Sequence, residues 1–467
     1  MGRRGTGTDP GGFCGSSQKR GLSASFQAEI SQEVQELIGR QAVQEADLEA
    51  LETAARRCAL RLAALALQQQ LNQDRSDYGG AEMPCRCGHA ARYVGRRTKT
   101  FESALGRLEL ERAYYHCAGC GEGFYPRDRQ LGLGNFSLSP AVTRMVATVA
   151  ALVSFQEGSQ LLEELAGVSV EAKQVERAAE ALGAEIASEE KQDLETLSAG
   201  ALPPTLYLGI DGTGVPMRPS ELKGRAGKQP DGSAKTREVK LCTVWSAESR
   251  DPQNQPVRDE GSVTYTAAIE SAATLDTDPV PSDFTQRVLR EATRRRFTQA
   301  ERQVVIGDGA PWIWKIAHEL FPRAIQIVDK FHVKEHLSQL AKLLYSDPAH
   351  AKHWAEHRHE ELDSGRFADL LRAVRRHADS SEEARKCFQY LHRNRERMRY
   401  PQFEADGLCT GSGVVEAACK GVVGTRLKRS GMRWTVRGAN AIIALRCSKL
   451  SGTFQDFWER RSERRAA

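Results

Sequence analysis

Three acidic residues each follow an apolar run: Asp211 in TLYLGIDGTGVPM, Asp308 in VVIGDGAPWIWKIA and Asp329 in AIQIVDKFHV. Each run reads as a buried strand, and the carboxyl ends of strands are where open α/β sheets collect their functional groups. Carboxylates gathered on neighbouring strands repel one another unless a cation compensates. Hard divalent ions such as Mg²⁺ or Mn²⁺ prefer such oxygen donors. Two ions about 3.5–4 Å apart activate the attacking oxygen and stabilise the leaving one in phosphoryl transfer. Glycines beside Asp211 and Asp308 allow a phosphate backbone to come close. A fourth acid, Glu416, lies in TGSGVVEAACKGVVGTRLKRSGMRW, where Ser412 can cap a helix and Lys420 sits at i+4 on the same face. A glutamate there also serves simply to compensate a helix dipole. His332 follows Asp329 by three residues, which suits a group that orients DNA or a water near a metal ligand.

A second set of donors is Cys85-x-Cys87 and Cys117-x-x-Cys120, each pair followed by glycine and separated by alternating, strand-like segments. Four thiolates on two tight turns suit one tetrahedral Zn²⁺ stapling a small β-rich module. A redox pair or metal-free thiols would share the pattern, and His89 or His116 could replace one ligand. Between Pro84 and Arg129 nine Lys/Arg stand against five Asp/Glu, a balance that suits phosphate contact.

Nucleic-acid contact is suggested twice more. The segment SFQEGSQLLEELAGVSVEAKQVERAAEALG carries two helical periodicities broken at AGVS, with Ser169 as a candidate cap. That is the spacing of a helix-turn-helix whose second helix would present Lys173, Gln174 and Arg177 to a major groove. An ordinary helical hairpin has the same pattern. From Glu416 onward there are 12 Lys/Arg against 4 Asp/Glu, and Lys420, Arg426, Lys428, Arg429, Arg433 and Trp434 form a cluster suited to DNA phosphates and bases.

The elements that must hold these residues divide the 467-residue chain into several parts. Residues 1–26 are rich in Gly, Arg and Ser and read as a disordered tail, with a loose myristoylation pattern at Gly2 and Thr6. Residues 27–80 form a helical region, 81–135 the cysteine module and 136–198 a helical region with the helix-turn-helix. A linker begins at Ser198. Residues 199–332 alternate strands and helices, 333–405 are wholly helical, and 406–467 return to the core with helices and a basic tail. Histidines at 350, 353, 357 and 359 recur at helical spacing and read as a solvated face. No run reaches the roughly 18 apolar residues of a membrane span. Eleven cysteines without an export signal point to reduced thiols in the cytoplasm.

The set YLGIDGTGVPM, VIGDGAPWIW, IVDKFHVKEHL and GSGVVEAACKGVVGTRLKRSGMRW, with the PCRCG and YYHCAGCG pairs, resembles the ISKra-type family of bacterial insertion-sequence transposases. The likeness runs from about Pro84 to Phe457. It implies a DDE transposase with an α/β RNase H-like core and an all-α insertion, bearing its acidic triad on Asp211, Asp308 and Glu416. Asp329-x-x-His332 resembles an extra D-x-x-H element of related enzymes. The resemblance further implies two Mg²⁺ or Mn²⁺ ions and one structural Zn²⁺. Its partners would be double-stranded DNA, both the inverted-repeat ends and the target, and a second copy in a dimeric or larger synaptic complex near the nucleoid. No membrane partner is expected.

Overall fold

The computed structural model describes residues 24–39, 47–134, 137–192, 201–227, 229–272 and 281–466. The first 23 residues, with Gly2 and Thr6, and the start of the linker at Ser198 lie outside the described residues. The chain forms two compact units, Met1–Ser139 and Pro140–Ala467.

In the first unit, helices α1 (Ala24–Gly39) and α2 (Leu48–Gln73) replace the single helix expected from residue 27. Asp47 caps α2 by accepting from the Ala50 amide. Strands β1 (Glu82–Pro84), β2 (Ala90–Ser103), β3 (Gly106–His116) and β4 (Gly123–Phe124) make an antiparallel sheet in chain order, followed by the short α3 (Pro126–Gln130). Alternation along β3 buries Leu108 and Leu110, which join Phe101, Leu133 and Ala64 of α2 in one apolar cluster. The helical region is therefore bound to the sheet and is not a separate body. Asp77 is buried and accepts from the Ala113 amide at 2.7 Å, while Arg96 donates to it and Arg127 stands 3.6 Å away.

The second unit opens with α4 (Pro140–Leu152), α5 (Phe155–Ala166) and α6 (Ala172–Gln192). Ser154 and Glu157 form a reciprocal capping box on α5, and Gly167 closes the helix with a left-handed φ of 66°. The expected cap at Ser169 is not made: α6 starts at Ala172, with Gln174 and Val175 amides bonded to the Glu171 carbonyl. Val175, Ala178, Ala179, Leu182 and Ile186 give α6 a buried face. A mixed five-stranded sheet follows, built from β5 (Thr205–Pro216), β6 (Thr236–Trp245), β9 (Thr264–Ala268), β10 (Arg302–Gly307) and β11 (Ile325–Val328). Its order is β11-β10-β5-β6-β9, with β5, β10 and β11 parallel and the β5-β6-β9 pairs antiparallel. The ribbon β7 (Ser249–Arg250) and β8 (Pro256–Val257) lies between β6 and β9 in sequence. Helix α7 (Asp283–Arg294) buries Arg287, which pairs with Glu270 and with Glu190 of α6. Helix α8 (Pro311–Leu320) joins β10 to β11 as a parallel crossover.

From residue 330 to 405 the described chain is helical: α9 (Lys330–Leu344), α10 (Pro348–Asp363), α11 (Phe367–Arg375), α12 (Glu382–Asn394) and α13 (Tyr400–Ala405). Then α14 (Gly413–Ala418), a π-helical segment over Cys419–Gly424, the single turn α15 (Thr425–Leu427), α16 (Val436–Leu450) and α17 (Phe454–Ala466) return to the sheet. Helix α16 is buried along most of its length and packs on α6, where Gly183 lets the two backbones meet. The fold is mixed α/β, a sheet among many helices. Among the described residues no helix is long and apolar enough to cross a membrane.

Candidate active site and metal centre

Strand β5 does not stop at Asp211, as the Gly-Thr-Gly sequence suggested. It runs on to Pro216, paired throughout with β6. The glycines serve packing: a Cβ on Gly212 would sit 2.6 Å from the Glu238 carboxylate, and one on Gly209 would run into Val415. Asp211 thus lies within a strand, while Asp308 and Asp329 follow strand ends.

Register brings the three together. Gly307 of β10 faces Ile210 of β5, and Val328 of β11 faces Gly307, so the next residue on each strand is Asp211, Asp308 or Asp329. The Asp329 amide extends the ladder to the Gly307 carbonyl at 2.9 Å. Each carboxylate already holds a local donor. Asp211 accepts from its neighbour Gly212 at 2.6 Å and from the Cys419 thiol at 3.2 Å. Asp308 accepts from the Ala310 amide at 2.8 Å. Asp329 caps α9 through the Phe331 amide at 2.8 Å and receives the Ser412 hydroxyl. Burial raises the Asp211 pKa, and the nearby Asp308 charge pushes it the same way. A cation near these carboxylates would relieve both effects.

The insertion reaches the same place. Tyr390 of α12 donates to the Asp308 carbonyl at 2.9 Å, and its ring lies over Gly309, whose φ is 95°. His332 and His336 of α9 face each other, Nε2 to Nε2 at 3.1 Å, and the His336 ring lies 5.0 Å from that of Tyr390. Burial lowers the His336 pKa, with His332 adding to the effect. The sequence reading missed Tyr390, His336 and Cys419. Only His336 had a visible signal, its i+4 spacing from His332.

Glu416 is placed differently from the three aspartates. Its side chain is 65% exposed and paired with Lys420 at 2.6 Å, while Val415 and Cys419 face the sheet. Of the basic cluster, Lys420, Lys428, Arg429 and Arg433 are exposed. Arg429 forms an ion pair with Glu157, and Lys428 donates to Thr213. Arg426 and Trp434 are buried instead. The Arg426 guanidinium lies 4.8 Å from the Phe155 ring centre and 5.2 Å from that of Trp434, and donates to the Ala150 carbonyl at 2.8 Å. Burial, with Arg446 adding, pushes its pKa down to about 10. On α6, Lys173 and Arg177 are exposed and Gln174 is half-buried. The other histidines of the insertion vary: His350 faces Asp347, His353 stacks on His357, and His359 meets the Lys334 carbonyl.

In the first unit the four cysteines meet. Sγ of Cys85 lies 3.7 Å from that of Cys120, and Sγ of Cys87 lies 3.5 Å from that of Cys117. All four sulfurs fall within 4.8 Å of one another, the one such group of three or more ligands among the described residues. Tetrahedral Zn–S bonds of about 2.3 Å require sulfurs about 3.8 Å apart. The site is thus of the right size for zinc. The short Cys-x-Cys turn closes because the Gly88 amide returns to the Cys85 carbonyl at 3.0 Å, with Gly88 at φ 87°. His89 stands outside the four, its Nδ1 3.4 Å from the Cys87 sulfur.

Comparison with known proteins adds a family. The sequence model of an uncharacterised protein family, UPF0236, matches residues 88–464. Among solved structures, a chain of the Drosophila P element transposase strand transfer complex aligns over 72% of this chain and 84% of its own, at 10% identity and a TM-score of 0.24. No curated protein matches. The family match covers most of the chain, which therefore belongs to UPF0236.

Proposed function

We propose that this member of UPF0236 is a DDE transposase of the ISKra type, with an RNase H-like core that cuts and joins DNA at the inverted-repeat ends of an insertion sequence. One observation carries the reading: the strand register that sets Asp211 and Asp308 side by side on neighbouring parallel strands, with Asp329 beyond. A half-buried, like-charged pair on adjacent strands is costly without a cation and useful with one.

Divalent ions bound there would supply Lewis-acid activation of the attacking and leaving oxygens. Asp211 and Asp308 would hold the ions, Asp211 with the carboxylate that now accepts from the Cys419 thiol. Glu416 supplies the third carboxylate by leaving its exposed pair with Lys420. Lys420, Lys428, Arg429 and Arg433 hold the phosphate backbone, each neutralised phosphate steepening the salt dependence. Lys173, Gln174 and Arg177 read the ends, and the Cys85/Cys87/Cys117/Cys120 zinc module adds contact to them. Arg426 and Trp434 shape this surface from beneath it. In this reading residues 333–405 are inserted between the last strand and the Glu416 helix. Two ends must be aligned, so a dimer or larger assembly acts.

The test is incubation of the purified chain with Mg²⁺ and labelled element ends. Joined products support the transposase reading, cleavage alone supports an RNase H-like nuclease, and binding alone supports a DNA-binding regulator. Asp211→Asn, Asp308→Asn and Glu416→Gln are each expected to abolish cleavage while retaining end binding, and Asp329→Asn to leave a measurable rate. A Glu416→Gln protein that still cuts, beside a folded but dead Asp329→Asn protein, would transfer the third role to Asp329.

A further inference from the structure

We infer that His332 and His336 form a chelating site for a borderline transition-metal ion such as Zn²⁺, separate from the cysteine cluster. The two residues lie one turn apart on α9, whose first turn is fixed by the Asp329 cap, so both rings project from the same face. Their Nε2 atoms stand 3.1 Å apart. With metal–nitrogen bonds of about 2.05 Å, that separation subtends an angle of about 98° at a shared ion. The angle is close to tetrahedral and needs little ring movement.

The surroundings favour the metal-binding form of both rings. Two facing Nε2 atoms at this distance cannot both carry a hydrogen, so the pair holds either one shared proton or one ion. His336 packs against the Tyr390 ring, with centroids 5.0 Å apart, which holds its imidazole in place. The Nδ1 of His332 stands 3.9 Å from the Glu335 carboxylate, and its Nε2 is the nitrogen turned toward His336. His332 is 35% exposed on its side chain, so water or an anionic ligand can complete the coordination. Imidazole donors select Zn²⁺, Co²⁺ or Ni²⁺ over Mg²⁺. Through Tyr390 and its bond to the Asp308 carbonyl, an ion here would touch the same loop that carries Asp308. The site stands on imidazole geometry alone and does not depend on the DNA reading.

Zinc titration of the full chain, purified with its cysteine cluster filled and followed by calorimetry, tests the inference. Wild type is expected to take up one further ion, and His332→Ala and His336→Ala to weaken that binding by more than the roughly 10–100-fold lost with an outer partner. His336→Cys should retain the ion, because a thiolate replaces the imidazole, and His357→Ala on the exposed face of α10 should leave it unchanged. Thermal melting of each variant establishes that it is folded. Equal zinc uptake by wild type and folded His336→Ala, or loss of the extra ion only in His357→Ala, would overturn the assignment.

Discussion

Replacing Gly183 with alanine adds one methyl group at the α6–α16 crossing. The new Cβ would lie 2.5 Å from the Ala441 carbonyl carbon and 2.8 Å from its Cα, both backbone atoms that no rotamer change can remove. Carbon atoms pack at about 3.5–4.0 Å, so the helices must separate by about 1 Å. Overpacking of this kind costs about 1–3 kcal/mol, and more when backbone must move. Against this, alanine favours a helix over glycine by about 1 kcal/mol. The clash wins, because α16 is buried along most of its length and pinned by Arg446 to the Val422 carbonyl. A loss of about 2 kcal/mol is expected, read as a lower urea midpoint at unchanged slope. Gly421→Ala is the control: nothing lies within 4 Å of its new Cβ, so it should be neutral or mildly stabilising. A Gly183→Ala protein as stable as wild type would refute the view that close backbone contact dictates this glycine.

Other outcomes follow from the same geometry. Cys117→Ser should drop zinc content by about one ion per chain and unfold the first unit's cysteine turns, measured by elemental analysis and proteolysis. Glu157 is held at a pKa of about 2 by the Arg429 guanidinium and by the Ser154 amide. Its folded value is depressed, so its stabilisation is present above about pH 4.5 and lost as pH falls towards 2. Glu157→Gln should therefore flatten the pH dependence of stability by one proton within that window, as read by acid titration of the urea midpoint. Arg177→Ala should reduce discrimination between element ends and random DNA by about 1–3 kcal/mol, whereas Arg429→Ala should weaken binding to every sequence. Filter binding across salt concentrations separates the two.

Much of the candidate site was legible because its signals are local. A buried run such as Val304–Gly307 followed by Asp308 and a left-handed glycine declares a strand end within a few residues. The Cys pairs declare their turns in the same way. What was hidden depends on distance along the chain. Tyr390 reaches Asp308 across 82 residues, and nothing in its own helix marks it. The Gly-Thr-Gly after Asp211 reads as a turn, yet it is strand whose glycines make room for Glu238 and Thr236. Arg426 and Trp434 look like surface residues by composition. They are buried against each other, Trp434 donating to the Leu427 carbonyl while its ring and that of Phe155 take the Arg426 guanidinium. Charge type alone does not reveal which arginines of a basic run face solvent.

The bond from Tyr390 to the Asp308 carbonyl also sets an order of events during synthesis. At about 5–20 residues per second, the ribosome needs roughly 4–16 seconds to extend the 82 residues between them. Throughout that interval the strands bearing Asp211 and Asp308 exist without their helical support. Glu416, Cys419 and the exposed lysines and arginines beyond them are made later still. A nascent chain thus carries acidic residues before it carries the parts that complete them. A product released before residue 390 lacks the Tyr390 hydroxyl that holds the Asp308 carbonyl.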